Sequence, residues 1–518
     1  MPKNRPRPSS LPRALVMLTI ASAVAGCAHT VLEPQLHPAD AVPRAAPLPI
    51  LKAHMVSGEL FILDSWRVSD DGARLTGTGT RYSMRREPMG SGPVSIAVSD
   101  VALVETNRPD KVGSGGTAVL AVMSTVFGGL SFYCLANPKS CFGSCPTFYL
   151  DGDDERPVAE GFSASIARAL EARDVDALGP TASGQRRLRV TMRNEAFETH
   201  VVRRVRLRVA ERPPGGRVLA GVDGRFYPAT RLVAPRSCRG DEGDCLAGLA
   251  AVGGEERLSP ADPRDLATRE TVELEFPPTG GALGLVVGGR QTLLSTHLFY
   301  QTMAWLGSRA GDYLAALERG GPAQAGRAMG MARVLGGVEA EVSEGGGEWR
   351  PIGAFDEPGP IAGDVQVLPF EATGRGPVRM RLRQAKGHWR LDHVALARLG
   401  PPVVPRVIEP GMVERGTRKD PRARALLLVD ARHLITLPGD EYRLTFALPG
   451  AAHGLEVFLE SEGYYYEWMR EEWLAEEDAQ MAALVLSDPQ EGLRRMAGPF
   501  KRHEAEMEQL FWTSRFRR

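Results

Sequence analysis

Apolar residues recur at every second position along much of the chain, and this predicts a body built mainly from β-strands. Leu60 and Ile62 have this spacing, as do Trp66 and Val68. Successive side chains of a strand point to opposite faces, so this periodicity marks strands with one buried face. Comparable runs recur as far as Leu459. We therefore predict a mainly β, multidomain α+β fold with β-sandwich-like modules.

The first strands are expected to form one small unit. Residues 56–107 contain four or five alternating runs, and Asp70-Asp71-Gly72 lies between two of them. This triplet is typical of a hairpin turn, because glycine adopts φ > 0 without steric cost. We predict a small antiparallel β-unit, which should pack on a neighbour because it is close to the lower size limit for independent folding.

A helical pattern appears in the middle of the chain. Between Thr292 and Leu317 the apolar residues lie three or four positions apart, which predicts a helix with one buried face. Gly307 is a candidate point of division. A shorter run of the same kind, Ile166–Leu178, predicts a second, short helix.

The C-terminus is predicted to be helical from about Trp468. Asp488-Pro489 has the cap residue and first-turn proline that begin a helix. Gly498-Pro499 is expected to interrupt this helix, because proline lacks the amide hydrogen that the helix needs.

A row of arginines follows one predicted strand. Arg204, Arg206 and Arg208 alternate with Val205 and Leu207, so the two sets point to opposite faces. We expect the arginine face to be exposed to solvent.

These patterns divide the chain into successive segments. Pro- and Ala-rich residues near the start are expected to be a tether, and a Gly-rich apolar stretch follows the first β-unit. The predicted organisation is signal 1–27, tether 28–55, β-unit 56–107, apolar segment 108–140, β-rich domain 141–290, helical segment 291–320, jelly-roll-like domain 321–400, β module 401–467 and C-terminal helices 468–518.

The composition is that of an ordinary globular protein. Hydrophobic residues make up 43% and charged residues 24% of 518 positions, and the formal net charge is zero. A neutral chain has no basic surface excess for phosphate groups, so nucleic acid is not an expected partner.

The first residues have the three parts of an export signal. Basic residues up to Arg13 precede the apolar stretch Leu15–Val24, and Val24-Ala25-Gly26-Cys27 follows. The quartet resembles the lipobox of bacterial lipoproteins, and this resemblance implies cleavage before Cys27 and lipidation of its thiol. Ala28, rather than aspartate, implies outer-membrane sorting. The alternative is an ordinary secretory signal with an incidental cysteine.

Five cysteines remain after Cys27, and an exported protein meets an oxidising compartment. Cys238 and Cys245 flank one polar glycine loop, where we predict a local disulfide. Cys141 and Cys145 are expected to tie a turn by a second disulfide. Their C-x-x-x-C-P motif also resembles that of copper-delivering thioredoxin-like proteins, which leaves thiol or Cu(I) handling as an alternative.

One apolar stretch is long enough to cross a membrane. Thr117–Ala136 is free of charge over twenty residues. We favour a buried or bilayer-dipping helical hairpin that is broken at Gly128-Gly129, and a single spanning helix is the alternative.

Catalytic and metal motifs are incomplete in this sequence. His503-Glu504 begins like a zinc-protease helix, but Met507 stands where the second histidine is needed. Gly113–Ala118 lacks the acidic residue that a dinucleotide site requires. We assign no catalytic residue, no metal ligand and no cofactor.

An aromatic cluster is the candidate binding site. Tyr464, Tyr465, Tyr466 and Trp468 could stack on a sugar or a protein partner. Alternatively, these side chains fix the C-terminal helix on a sheet.

A second passage, Gly376–Leu396, resembles the closing strands of galactose-binding-like jelly-roll modules. The whole chain resembles multidomain β-rich lipoproteins of unassigned role. Together these features favour a membrane-anchored exported lipoprotein with a non-catalytic binding or scaffolding role, partnered by an envelope protein or glycan. A secreted hydrolase acting on glycans is the rival interpretation.

The lipobox leads to a direct prediction. Replacing Cys27 by alanine removes the only acceptor for the lipid that this motif provides, so Cys27→Ala should move the protein from the membrane fraction to the soluble fraction. Fractionation of cells after a salt wash measures this. Sedimentation of the variant with membranes would show that Cys27 is not the sole anchor.

Overall fold

A six-stranded antiparallel sheet begins the part of the chain that the structure describes. The computed structural model describes residues 29–43, 50–83, 88–112, 145–152, 156–182, 184–328, 330–356, 359–374, 376–430, 432–469, 473–474 and 476–513. Cys27, Cys141 and Thr117–Ala136 lie outside these ranges, and so does the predicted hairpin at Gly128-Gly129. The first sheet has the order β1-β6-β2-β3-β4-β5, with strands β1 (His29–His37), β2 (Leu51–Met55), β3 (Leu60–Val68), β4 (Arg74–Tyr82), β5 (Pro88–Ala97) and β6 (Val101–Val112).

This first sheet confirms the predicted β-unit and extends it at both ends. The hairpin between β3 and β4 turns at Gly72, whose φ is +71°. The prediction of an irregular tether over 28–55 is wrong, because β1 pairs with β6 and β2 lies between β6 and β3. The alternating pattern of β1 is obscured by Pro34 and polar residues, and its partner β6 is more than sixty residues away.

The remaining strands form two further sheets, a barrel and a last sheet. In chain order they are β7 (Thr147–Leu150), β8 (Ala159–Glu160), β9 (Ala172–Pro180), β10 (Arg187–Arg193), β11 (Glu198–Glu211), β12 (Arg217–Gly221), β13 (Phe226–Val233), β14 (Ser237–Gly240), β15 (Gly243–Asp244), β16 (Arg269–Phe276), β17 (Gly280–Gln291), β18 (Val338–Glu344), β19 (Arg350–Phe355), β20 (Asp364–Thr373), β21 (Val378–Ala385), β22 (Trp389–Leu399), β23 (Arg406–Ile408), β24 (Met412–Arg415), β25 (Arg418–Lys419), β26 (Leu434–Thr436), β27 (Glu441–Ala447) and β28 (Leu455–Glu467).

Two of these sheets enclose the largest hydrophobic core. One has the order β25-β24-β27-β10-β7-β8, and the other has the order β23-β11-β28-β9 with β26 also paired to β11. Buried side chains from both sheets meet in one cluster, including Val190, Leu444, Val205 and Leu459. Strands from residues 147–211 thus pair with strands from residues 406–467, so the boundaries predicted at 290 and 400 separate strands of the same sheet.

The middle of the chain forms a closed barrel packed on a sheet. The barrel has the order β12-β13-β22-β17-β20, and its β12–β20 pair is parallel. The sheet has the order β15-β14-β16-β21-β18-β19, and the two share one apolar core. The two strands that resemble the end of a jelly roll, β21 and β22, therefore lie in different layers.

Besides five short 3-10 helices, the described residues include six α-helices of six or more residues. They are α1 (Leu294–Leu306), α2 (Ala310–Ala328), α3 (Gly330–Leu335), α4 (Pro421–Leu427), α5 (Ala479–Ser487) and α6 (Pro489–Thr513). None of these helices has the length and apolarity needed to span a bilayer. The fold class is mainly β with added helices, as the sequence predicts.

The predicted division at Gly307 is confirmed, because α1 ends there with φ of +52°. The start of α6 is also as expected: Asp488 Oδ1 accepts a hydrogen bond of 3.1 Å from the Glu491 amide. The predicted interruption at Gly498-Pro499 is wrong, since α6 continues through Pro499. The adjacent Phe500 is buried in a shared core, and this packing offsets the hydrogen bond that proline cannot make.

Two further expectations fail because of long-range pairing. Most of the helix predicted over Ile166–Leu178 is strand β9, which pairs with β28. The arginine face of β11 is largely buried rather than solvent-exposed: Arg206 lies 2.7 Å from Glu460, and Arg208 also pairs with that carboxylate. Residues on β28, more than 250 positions away, decide both outcomes, so the local pattern could not reveal them.

The predicted disulfide between Cys238 and Cys245 is present in the structure. It closes the β14–β15 hairpin, in which the Cys245 amide also donates to the Cys238 carbonyl. Intact-mass alkylation without reductant should leave both thiols unlabelled, and the double alanine variant should lose about 2–3 kcal/mol of unfolding free energy. Labelling of either cysteine in the native protein would contradict this assignment, and the reduced protein provides the positive control.

Candidate functional site: an apolar cavity

A cavity of about 510 Å³ lies between the helices and the ends of two long strands. Helix α1 provides one wall through residues from Ser295 to Met303, and α3 and α5 provide others. The strands contribute Trp389 at the start of β22 and Tyr465 near the end of β28. The volume is within the range of about 300–1,000 Å³ that small-molecule sites have.

Apolar side chains form most of the described wall. Leu298, Phe299 and Met303 face it from α1, Leu335 from α3, and Val485 and Leu486 from α5. The α1 side chains belong to the apolar face that the sequence reveals. The other residues of the wall come from separate parts of the chain. A wall of this kind favours an apolar molecule, because burial removes apolar surface from water.

The sheet under the cavity carries a row of buried polar residues. The β11–β28 register places Glu198 directly opposite Glu467, and His200 directly opposite Tyr465. Tyr465 and Glu467 line the cavity, and all four side chains are at most 7% exposed.

Hydrogen bonds hold these polar side chains in place. Tyr300 on α1 donates to the Glu467 carboxylate, and His200 Nε2 lies 2.6 Å from Glu198 Oε1. The Tyr465 hydroxyl donates to the Ser163 carbonyl at 2.8 Å. Burial raises the pKa of Tyr465 well above its ordinary value, so this phenol remains protonated. Like charges directly opposite each other destabilise a sheet. The contacts with Tyr300 and His200 therefore stabilise Glu467 and Glu198, which face each other.

The turn before β22 brings two further polar residues to the wall. Gly387 takes φ of +73° there, a conformation that suits glycine. Thr292 fixes the turn, since its amide donates to the His388 carbonyl at 2.8 Å and its hydroxyl donates to the Gly387 carbonyl at 2.7 Å. His388 and Trp389 are thereby held in the wall on a rigid backbone.

The side-chain nitrogens of these two residues lack partners among the described residues. His388 is 3% exposed and Trp389 is 2% exposed. Neither ring nitrogen of His388 nor Nε1 of Trp389 has a hydrogen-bond partner. Each of these nitrogens is enclosed by protein atoms and exposes almost no surface, so the two residues contribute to the wall without offering these nitrogens to the contents of the cavity.

His388 is uncharged at neutral pH. Burial, with a smaller contribution from the nearby Arg269 guanidinium, lowers the pKa of His388 to about 4. A neutral imidazole has one donor nitrogen and one acceptor nitrogen. At neutral pH His388 therefore adds no positive charge to the wall.

Cys145 also lies in the cavity wall. It carries a buried thiol whose Sγ is 3.7 Å from Glu160 Oε2, to which it donates. Cys141, its predicted disulfide partner, lies outside the described residues, so that disulfide stays a prediction. The described residues contain no group of three or more His, Cys, Asp or Glu side chains arranged to hold a metal ion.

The aromatic binding candidates are buried rather than displayed on the surface. Tyr464 and Tyr466 are at most 1% exposed and pack edge to face, with ring centroids 5.3 Å apart. Trp468 Nε1 donates to Thr199 Oγ1 at 2.9 Å. Trp468 therefore contacts strand β11, whereas the alternative interpretation concerned the C-terminal helix. Tyr465 is the exception, because it reaches the cavity.

Sequence reasoning missed His388 and Trp389. The dipeptide has no distinctive spacing, and its partners in the wall are about 90 residues earlier and 80 residues later in the chain. The turn glycine Gly387 is the one local signal, and it indicates a hairpin rather than a site.

A second group of buried acids lies outside the cavity wall. Burial raises the pKa of Asp364, and burial together with Asp174 and Asp364 raises that of Asp176. Asp364 Oδ1 accepts a 2.8 Å hydrogen bond from the Ala177 amide. This contact joins the barrel strand β20 to β9, so Asp364 has a structural role there.

Comparisons with known proteins assign no family. No protein-family model and no curated protein matches the chain. Among solved structures, a mycobacterial arabinofuranosyltransferase is similar with a TM-score of 0.18 and 11% identity over 85% of this chain, which spans 32% of the transferase. An exo-β-1,3-galactanase from Phanerochaete chrysosporium has a TM-score of 0.14 and 7% identity, covering 71% of this chain and 82% of the galactanase. Scores this low carry no structural argument.

The lowered pKa of His388 predicts a pH dependence of stability. The unfolded chain binds a proton near pH 6.5, whereas the folded protein does so only near pH 4. Unfolding therefore takes up a proton between these values, and stability falls as the pH drops from 6.5 towards 4, by up to about 3 kcal/mol.

His388→Leu removes this contribution, so the variant should lose less unfolding free energy than the wild type between pH 7 and pH 4.5. Urea unfolding at the two pH values measures the difference. The pKa of His297 is also lowered to about 4. This residue is present in both proteins, so its contribution to the loss of unfolding free energy cancels in the comparison. Equal losses in the two proteins would contradict a buried neutral His388.

Proposed function

We propose that this chain is an exported, membrane-anchored lipoprotein whose body binds a small apolar molecule in the cell envelope without transforming it. The observation that carries the proposal is the cavity of about 510 Å³ with a largely apolar wall. The lipobox at Cys27 supports the location. An anchored body outside the cytoplasm is well placed to take up a molecule of low water solubility.

The polar residues under the cavity favour binding over hydrolysis. A carboxylate pair that cleaves glycosides needs room for the substrate, and in inverting enzymes for a water molecule, between its members. Glu198 and Glu467 face each other across adjacent strands, and His200 and Tyr300 already occupy them. These contacts stabilise two buried acids in a sheet and leave the apolar wall as the main surface for a ligand.

The wall at α1 and α3 allows a direct test with the fluorescent apolar dye N-phenyl-1-naphthylamine. The wild type should bind it saturably, with one dye per chain. Met303→Trp fills the cavity and Ala332→Trp narrows it at an exposed wall position, so each should weaken binding at least tenfold. Met89→Trp is the matched control, because Met89 is exposed on β5 away from the cavity, and it should bind like the wild type.

Fluorescence titration provides the readout, and circular dichroism confirms that each variant is folded. Ala332→Trp protects the test against an overpacked core, since Ala332 is exposed and its replacement does not enlarge a buried side chain. Absence of saturable dye binding to the wild type, or equal binding by all three variants, would contradict the proposed cavity function.

A further inference from the structure

Exposed apolar side chains of the described chain are concentrated in one segment. Nine large apolar side chains among the described residues are exposed to solvent, and five of them belong to residues 403–429. We propose that this segment, the 403–429 surface, binds a lipid bilayer with anionic headgroups. The inference is independent of the ligand cavity and adds a second membrane contact to the anchor proposed at Cys27. The five side chains are Val403, Val404, Val407, Leu428 and Val429.

The fold places both ends of this segment along one edge of strand β11. Strand β28 occupies the other edge of β11, whereas β23 and β26 pair with successive parts of this one. The gap between β23 and β26 is filled by the chain at Asp430, whose carbonyl accepts a hydrogen bond from Arg203 on β11. Val407 on β23 and Val429 in the gap therefore follow the same edge.

Helix α4 closes this edge of the two-sheet core. It contacts β11 and β26 of one sheet and β24 of the other. Asp420 caps the helix by accepting from the Ala423 amide at 2.8 Å, and Arg424 Nε donates to the Pro410 carbonyl at 2.8 Å. These contacts hold β23, α4 and the β24–β25 hairpin together on one side of the molecule.

Basic side chains lie beside the apolar ones on these elements. Arg406 on β23, Arg418 and Lys419 on β25, and Arg422 on α4 are all exposed. None of the four forms an ion pair with another described residue. Their charges are therefore available to an external partner.

The acidic residues of the segment do not cancel this charge. Residues 403–429 contain six basic and three acidic residues, a formal charge of +3 in a chain whose net charge is zero. Asp420 is engaged as the cap of α4, and Glu409 lies 3.6 Å from Arg206 on β11. Anionic headgroups attract Lys and Arg while apolar side chains enter the boundary of the bilayer, so this combination matches an anionic lipid surface.

Val404 projects from the surface on a constrained backbone. Its side chain is 95% exposed. Pro402 and Pro405 fix φ at two nearby positions, and a proline after Val404 favours an extended backbone at Val404 itself. The Val403 amide donates to the Phe226 carbonyl at 2.8 Å, which ties the segment to the barrel. Local folding does not cover this apolar tip, and clustered exposed apolar residues of this kind mark interaction sites.

Sedimentation with vesicles of phosphatidylglycerol and phosphatidylcholine in equal parts tests the electrostatic contribution. The full chain carrying Cys27→Ala is the parent protein, so that lipidation does not contribute to binding. Arg418→Gln, Lys419→Gln and Arg422→Gln together should weaken binding about tenfold in about 0.1 M salt. The same triple variant should differ little from the parent in about 0.5 M salt, where the charges are screened.

A triple variant in another sheet provides the matched control. Arg236→Gln, Arg239→Gln and Arg383→Gln remove three exposed arginines on or beside β14 and β21. This variant loses the same charge and should bind vesicles like the parent protein. Circular dichroism confirms that each variant is folded.

The apolar contribution is tested separately. Val404→Ser with Leu428→Ser should weaken binding about tenfold at both salt concentrations, because the loss of apolar burial is not screened. Met89→Ser with Val252→Ser is the matched control, since these two apolar residues are exposed elsewhere. That control should bind like the parent protein.

Amide hydrogen exchange provides a local measurement. Vesicles should slow exchange in peptides from residues 403–429 and leave peptides from β14 and β21 unchanged. Vesicle binding without this protection would show that another part of the chain holds the bilayer, and it would overturn the proposal. Equal binding to vesicles of phosphatidylcholine alone, unchanged binding of both surface variants, or no binding by the parent protein would overturn it as well. None of these outcomes bears on dye binding in the cavity.

Discussion

The pairing of β11 with β28 is the constraint on which the other parts of the molecule depend. The two strands remain in register from Glu198–Glu467 to Glu211–Leu455, with one irregularity near Val202, and β9 pairs with the other edge of β28. A strand covered on both sides is ordinarily apolar, yet β28 carries three buried glutamates. Burial raises the pKa of Glu460, but Arg208 and Arg206 outweigh it and hold that pKa below its usual range. Since removing one partner of a buried ion pair costs about 3–5 kcal/mol, these pairs oppose any shift of register. The arginine partners of the glutamates on β28 are Arg206 and Arg208 for Glu460, and Arg217 for Glu456.

Trp468, the residue directly after β28, joins the first sheet to the rest of the molecule. Trp468 contacts two side chains of β2: Lys52 Nζ is 5.7 Å from the centre of its ring, and the His54 ring centroid is 6.3 Å away. Glu105 on β6 accepts from both, at 2.8 Å each. Burial alone would raise the pKa of Glu105, but Lys52 and His54 hold it below its usual range. Apolar packing on the other face of the first sheet is compatible with more than one orientation of that sheet. The polar contact between Trp468, Lys52 and His54 requires one particular orientation. The tryptophan that the sequence suggests as a ligand-binding residue thus fixes the position of a sheet.

The sequence predicts those elements whose stability is local, and it fails where distant strands decide. Strands β3 and β4, the break at Gly307 and the cap at Asp488 follow from periodicity and turn chemistry, and the Cys238–Cys245 disulfide follows from a short loop. The segment at Ile166–Leu178 has a helical period but becomes strand β9, because β28 offers it a ladder of hydrogen bonds. Pro499 is accommodated by the packing around Phe500, which no local rule can anticipate. The candidate site is the extreme case. One wall, on α1, is visible in the apolar period, while His388, Trp389 and Tyr465 reach it from strands whose neighbours are set by the whole fold.

Hydrogen bonds from several segments of the chain hold the His388 turn in place. The Lys386 amide donates to the Thr268 carbonyl at 2.9 Å, and the Gly387 amide donates to Ser259 Oγ at 3.4 Å. Thr292 bonds the carbonyls of Gly387 and His388. The backbone of the turn is therefore bonded to three separate segments, and this fixes His388 and Trp389 in the cavity wall. In a loosely packed region the backbone would lack these hydrogen bonds. A wall held on a rigid backbone suits the binding of an apolar molecule, because little ordering remains to oppose binding.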